Sequence, residues 1–112
     1  MGQITGNYLG WGILFLAILC EVTGTTFMKM SEGFTKPLPI IGIVSFYIGA
    51  VIFLTLALKH IPMNSAYAVW SGIGTLTLAI IGYFFFAETI SLWRAFFITL
   101  VIIGVIGILY IK

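Results

Sequence analysis

The chain has 112 residues, of which 62% are hydrophobic and 7% are charged, whereas a soluble domain carries about 25% charged residues. This composition excludes a water-soluble fold and predicts a membrane protein with room for one domain. The formal net charge of +2 is small, and the charges are scattered along the chain, so nucleic acid is not expected as a partner.

Clusters of charged residues divide the chain into apolar segments long enough to cross a bilayer. A helix needs about 20 residues to cross roughly 30 Å of hydrocarbon, and backbone groups in lipid must be satisfied internally, which favours helices. We predict one all-α membrane domain, residues 1–112, with four spans at 9–28, 39–58, 63–86 and 92–111. Residues 1–20 contain no Lys or Arg, unlike a cleaved secretory signal, so the first span is expected to be retained. The loops are short, so neighbouring helices should run antiparallel.

The first span contains a carboxylate, Glu21, in an otherwise apolar stretch. A charge at the centre of a bilayer costs about 2.5–3.5 kcal/mol. No Lys or Arg is expected at the depth of Glu21, so its predicted partners are protons, hydroxyls or a visiting cation. Small residues beside a carboxylate allow another helix to approach or leave room for a ligand. The residues on its helical face are Leu14, Ala17, Ile18, Gly24, Thr25 and Met28. The competing interpretation is a structural acid that only helps the helices to pack.

Aromatic residues in the next two spans are candidates to bind a cation. Tyr67 and Trp70 lie three residues apart in the third span and therefore share a helix face. A desolvated aromatic ring holds a cation with about 2 kcal/mol or more, and the indole N–H needs an acceptor, which Glu21 could supply. Tyr47 in the second span is a third candidate. Ordinary packing is the alternative for all three residues.

Two pairs of glycines are also notable. Gly72 and Gly74 follow Trp70 within the third span, where they indicate either a hinge or close helix packing. Gly104 and Gly107 lie in a fourth span that is otherwise apolar, and small residues there favour association with another helix.

No pattern of residues indicates catalysis, a metal or a cofactor. The chain has one cysteine, Cys20, which we interpret as a small apolar filler. His60 follows Lys59 in a short loop and is expected to be solvated. We find no nucleophile–base pair, phosphate-binding loop or metal-ligand spacing, so neither an enzyme nor a cofactor is expected.

The positive charges give almost no preference for one orientation in the membrane. Four spans put Lys59, Lys112 and the α-amino group on one side, and Lys29, Lys36 and Arg94 on the other, which is two Lys or Arg against three. The positive-inside rule then gives little instruction. Either one orientation wins by a small margin, or the chain inserts both ways and pairs with its inverted copy.

Two segments carry a resemblance to a known family. Residues 21–35, EVTGTTFMKMSEGFT, and residues 66–74, AYAVWSGIG, resemble the small multidrug resistance family, and the similarity extends over nearly the whole chain. The resemblance implies an antiparallel homodimer in the bacterial cytoplasmic (inner) membrane that exchanges protons for organic cations. On that pattern Glu21 binds both proton and substrate, Tyr47, Tyr67 and Trp70 line the pocket, and the fourth helix forms the dimer seam.

The residues after Glu21 indicate a branch of the family. Guanidinium exporters usually have a tryptophan there, whereas this chain has Val-Thr-Gly-Thr, which resembles the quaternary-ammonium branch. Gly24 in place of a ring is expected to widen the pocket for bulky substrates. Many members have Ser where this chain has Ala50, which leaves the substrate preference open.

We therefore expect a proton-coupled exporter of hydrophobic organic cations. The alternatives are a guanidinium or polyamine exporter of the same family, one half of a heterodimer, which the balanced charges disfavour, and a non-transporting structural membrane subunit.

Overall fold

Four α-helices make up most of the computed structural model, which describes residues 8–111. They are α1 (Tyr8–Met30), α2 (Pro37–Ala57), α3 (Met63–Phe85) and α4 (Leu92–Tyr110). Each is long and apolar enough to cross a membrane, and together with the absence of strands within 8–111 this confirms the all-α fold with four spans. The helix ends lie within two residues of the predicted spans. Lys112 and the α-amino group, which entered the predicted charge balance, lie outside the described residues.

Proline and serine mark where the helices begin. Pro37 occupies the start of α2, where its missing N–H needs no partner, and Pro62 precedes the first residue of α3. At α4 the N-cap is Ser91, whose Oγ accepts a hydrogen bond from the Arg94 backbone N–H at 3.1 Å. These breaks fall between the apolar segments and keep the three connections short.

The core lies between α1, α2 and α3. Helix α1 packs against both α2 and α3, whereas α4 packs against α3. The buried core residues are Leu14, Ile18, Val22, Ala57, Ile61, Ala66 and Val69. No residue of α4 is buried within the chain, so this apolar helix is available to lipid or to a second chain.

The helices run antiparallel, and the three loops divide between two ends. Loop 1 (residues 31–36) and loop 3 (residues 86–91) lie at the same end, where Lys29 Nζ is 3.6 Å from Glu88 Oε2. Loop 2 (residues 58–62) lies at the opposite end, where His60, which is exposed as expected, contacts Gly10. Among the described residues, Lys29, Lys36 and Arg94 are therefore at one end of the molecule and Lys59 is at the other.

Ser31 organises loop 1. Its side chain is only 1% exposed; the hydroxyl donates to the Met28 carbonyl at 2.8 Å and accepts from the Phe34 N–H at 3.1 Å. The chain then turns through three successive left-handed residues, Glu32, Gly33 and Phe34, with φ of 50°, 73° and 67°. Non-glycine residues adopt this conformation only when surrounding contacts stabilise it, and the hydrogen bonds of Ser31 are among those contacts.

Replacing Ser31 with alanine should destabilise the protein. The Ser31 hydroxyl makes two hydrogen bonds, and a typical one contributes about 0.5–1.5 kcal/mol. We therefore expect Ser31→Ala to lower the free energy of unfolding in detergent by about 1–3 kcal/mol. Ser45→Ala is the matched control, because the Ser45 hydroxyl is exposed and bonds only the Ile41 carbonyl of its own helix. Equal stability of the two variants would contradict this account of loop 1.

Candidate functional site

Glu21 lies on α1 and is half-buried. Only one of its two carboxylate oxygens is hydrogen-bonded. Oε1 accepts from the Thr25 hydroxyl at 3.4 Å. Oε2 is buried without a hydrogen-bond partner among the described residues. No described Lys, Arg or His forms an ion pair with Glu21, since the ion pairs of this region join other residues. The carboxylate can therefore accept a proton or a cation without first breaking an internal ion pair.

Tyr47 of α2 extends this hydrogen-bond chain to a second helix. Its hydroxyl lies 2.7 Å from Thr25 Oγ1 and 3.9 Å from Met28 Sδ. When Thr25 donates its single proton to Glu21, the proton of the short bond must come from Tyr47. The hydrogen bonds then run from Tyr47 to Thr25 and from Thr25 to Glu21. They hold Oε1 in place and leave the buried Oε2 without a hydrogen-bond partner among the described residues.

Gly24 allows the Tyr47 ring to reach this position. A Cβ at residue 24 would lie 2.7 Å from Cδ2 and 2.8 Å from Cε2 of Tyr47, closer than real contacts allow. Within the single chain the Tyr47 ring occupies the space beside Gly24, and the expectation that Gly24 widens a substrate pocket stays a prediction. The small residue serves the other role considered for it, close approach of a neighbouring helix.

The residues before Glu21 on the same helix face form the core. Leu14 is 1% exposed, Ala17 is 0% exposed, and Ile18 is also buried. Their predicted contact with a ligand would require α1 to separate from its neighbours, and it stays a prediction. Two of these residues, Leu14 and Ile18, also line an apolar cavity of about 200 Å³ together with Trp11. Val69 and Ile73 of α3 contribute to the lining of the same cavity.

Tyr67 and Trp70 do not bond to Glu21 within the single chain. Tyr67 is 63% exposed, and Trp70 is half-buried against the core. No hydrogen bond between Glu21 and either residue occurs in the described part of the chain. The role of both aromatics in a pocket with Glu21 stays a prediction.

The glycines of α3 and α4 differ in their surroundings. Helix α3 is continuous through Gly72 and Gly74; a Cβ on Gly72 would lie 2.6 Å from Val105 Cγ2 of α4, while Gly74 has nothing within 4 Å. Gly72 thus brings α3 and α4 together, and the hinge stays a prediction. A Cβ on Gly104 or Gly107 would also meet nothing within 4 Å, so the proposed seam is unoccupied within the chain.

Sequence reasoning missed two contacts of residues in the last turns of α1. Met28 lies two turns after Glu21, but its sulfur carries no charge that would have signalled a contact with Tyr47. The Lys29–Glu88 ion pair joins residues far apart in sequence, and the only available indication was that both flank spans at the same end.

Comparison with known proteins decides the family. The family model described as "Small Multidrug Resistance protein" matches residues 9–101. The chain belongs to this family. Its members are membrane transporters, so the expectation that the protein is not an enzyme is confirmed. Four apolar spans together with this membership identify a multi-pass protein of the bacterial cytoplasmic (inner) membrane.

Relatives within the small multidrug resistance family carry several names. The chain is 50% identical over 97 residues to multidrug resistance protein EbrB of Bacillus subtilis, covering 85% of this chain and 83% of EbrB. It is 40% identical over 93 residues to quaternary ammonium compound-resistance protein QacG of a Staphylococcus species, covering 83% and 87%. It is 35% identical over 100 residues to a guanidinium exporter of Proteus vulgaris, covering 89% and 96%.

Two glycines of α1 allow a matched test of the Gly24–Tyr47 contact. In Gly24→Ala the new methyl group collides with the Tyr47 ring, and overpacking of this kind costs about 1–3 kcal/mol. Gly12→Ala is the control: nothing lies within 4 Å of its Cβ position, so loss of helical glycine should stabilise by about 0.5–1 kcal/mol. Unfolding free energies in detergent should therefore change in opposite directions. A change of the same sign in both variants would contradict the contact.

Proposed function

We propose that the protein is a proton-coupled antiporter that exports hydrophobic organic cations such as quaternary ammonium compounds. The observation that supports this most directly is the Glu21 carboxylate, which is half-buried in an apolar span, has one unpartnered oxygen, and has no cationic partner among the described residues. An ionisable residue inside a membrane span generally serves an ion or substrate pathway.

Competition for Glu21 is enough to couple the two fluxes. Removal from water disfavours the charged carboxylate, so the site is more stable when a proton or a cation neutralises the charge. Both ligands use the same group, hence binding of a cation expels the proton. Thr25 keeps the carboxylate oriented through the exchange by its hydrogen bond to Oε1, and Tyr47 holds Thr25 in place by its own hydrogen bond to the Thr25 hydroxyl.

Several features favour bulky, apolar cations as substrates. Relatives named for multidrug or quaternary ammonium resistance are 40–50% identical to this chain, and the guanidinium exporter is 35% identical. A quaternary ammonium has no N–H to donate and binds through charge and aromatic faces, for which the half-buried Trp70 and the exposed Tyr67 are candidates. The similarity to the guanidinium exporter makes guanidinium export the second candidate function.

An antiparallel homodimer would complete the site. In the single chain α4 has no buried residue, and Gly104 and Gly107 face open space, which suits close packing against a copy of itself. The near-equal numbers of Lys and Arg on the two predicted sides of the membrane allow insertion in both orientations. An inverted second copy would bring a second Glu21 and its aromatics to the pocket.

Proton release tests the proposed mechanism. Adding a quaternary ammonium compound to detergent-solubilised protein in weak buffer should release protons. The amount released should fall at high pH, because the carboxylate is already deprotonated, and at low pH, because the cation cannot displace the proton. Glu21→Gln should abolish the release and keep the fold. Glu32→Gln is the control, because Glu32 is 66% exposed in loop 1 and paired with Lys36.

The outcomes separate the candidate functions. No release from the unmodified protein, or the same release from Glu21→Gln, would contradict proton–cation exchange at Glu21 and favour a structural subunit. Release with guanidinium but not with bulkier cations would assign the protein to guanidinium export.

Bulky substitutions on α4 test the dimer. Gly104→Leu and Gly107→Leu should each convert the dimer to monomer in detergent while leaving the helix content unchanged, because a Cβ at either position meets nothing within 4 Å in the single chain. Gly12→Leu on α1 is the control, since Gly12 is equally open. Molecular mass by light scattering is the measurement, and dimers that persist in both α4 variants would contradict the seam.

A further inference from the structure

An ion pair between distant parts of the chain spans the end of the molecule that carries loops 1 and 3. Lys29, in the last turn of α1, lies 3.6 Å from Glu88 of loop 3. This pair links α1 to the α3–α4 connection. The other ion pair of the described chain, Lys36–Glu32, joins residues four apart within loop 1 and cannot link separate elements.

The backbone and packing of loop 3 hold Glu88 in place. Ala87 adopts a left-handed conformation with φ of 54°, which turns the chain back toward the end of α3. The Glu88 N–H then donates to the Gly82 carbonyl at 3.0 Å. The Glu88 carboxylate lies directly against Gly82, where a Cβ would collide with Oε1. Glycine at residue 82 is therefore what allows the carboxylate to reach Lys29.

Behind this ion pair is a cavity of about 150 Å³ between α1 and α3. Lys29, Glu88 and Gly82 line it at the loop end, and Thr25 and Thr26 line it on α1. A water molecule takes about 30 Å³ in the liquid, so the cavity has room for several. Thr25 is also the residue that donates to Glu21, and the cavity therefore reaches the first hydrogen-bond partner of the carboxylate.

We propose that the Lys29–Glu88 ion pair is a gate that closes the loop end of an access path to Glu21, with Gly82 as the residue that positions Glu88. This inference rests on the proposed exchange at Glu21 and deepens it. The gate controls how quickly water, protons and substrate reach the carboxylate from that end. Glu88 is a positioning and gating residue that does not contact the ligand in the bound state.

The exposure of the pair suits a gate that opens in every cycle. The Lys29 and Glu88 side chains are 59% and 52% exposed, so water screens their attraction. Measured exposed ion pairs shift an equilibrium by at most about five-fold. A pair of this strength biases the end toward closure and still opens rapidly.

Thiol labelling measures how often the cavity is open. Thr26→Cys in a Cys20→Ser background places the sole thiol on the cavity wall, since the chain has one native cysteine. In detergent-solubilised protein, the neutral reagent N-ethylmaleimide should label this thiol about two to five times faster when Glu88→Gln is added, the range expected for loss of an exposed pair.

Three further variants separate gating from a general effect of charge. Gly82→Ala keeps both charges but displaces the Glu88 carboxylate, and it should also accelerate labelling. The exchange Lys29→Glu with Glu88→Lys should return the rate toward that of the parent protein. Glu32→Gln removes a carboxylate from the same end without touching the gate and should leave the rate unchanged. Unchanged labelling in both Glu88→Gln and Gly82→Ala would overturn the gate.

The proton-release measurement distinguishes failure of the gate from failure of the proposed function. Cation-induced proton release from Glu88→Gln should reach the same final amount as from the unmodified protein, because Glu21 is intact. Normal release with unchanged labelling would overturn only the gate. Absent release from the unmodified protein would overturn the exchange at Glu21, and the gate would fall with it because it would have no exchange to control.

Discussion

The half-satisfied carboxylate of Glu21 is the constraint on which the site depends. One oxygen is bonded to Thr25 and the other is buried without a hydrogen-bond partner among residues 8–111. A buried polar group in this state is costly unless a ligand satisfies it. If a fixed Lys or Arg were paired with the carboxylate, the site would be more stable but could not exchange its partner. The missing counter-ion is thus what the proposed transport cycle requires.

The packing of α1 against α2 makes this state possible. Gly24 lets the Tyr47 ring lie against α1, and the ring brings its hydroxyl to Thr25. Because residue 24 has no side chain, the Tyr47 hydroxyl can bond Thr25, and Thr25 in turn orients the Glu21 carboxylate. A second glycine has the same role near the end of α3, where Gly82 leaves room for the Glu88 carboxylate. In both places glycine allows a close approach, and the functional group belongs to its neighbour.

The chain divides into a packed part and an open part. Helices α1 to α3 bury the core, whereas α4 buries none of its residues within the chain. In water such a surface would drive aggregation, but lipid is as apolar as the side chains and imposes no penalty for their exposure. What remains to favour a partner is close packing along small residues, which Gly104 and Gly107 permit. This division agrees with a dimer in which one helix is kept for association.

The membrane class, the four helices and their ends could be predicted from the sequence, because the apolar length of a segment and the prolines and charges between segments act locally. The sequence also singled out Glu21, since a carboxylate in an apolar run is conspicuous without any structure. The hydrogen-bond partners of Glu21 follow from the packing of the helices: Thr25 bonds the carboxylate and Tyr47 bonds Thr25, whereas neither Tyr67 nor Trp70 makes a hydrogen bond to Glu21 within residues 8–111. Helical spacing shows which residues share a face but not which helix covers that face, and so the contact between Gly24 and Tyr47 could not be predicted. The Lys29–Glu88 pair was equally hidden, because the contact depends on how loop 3 folds back over the end of α1.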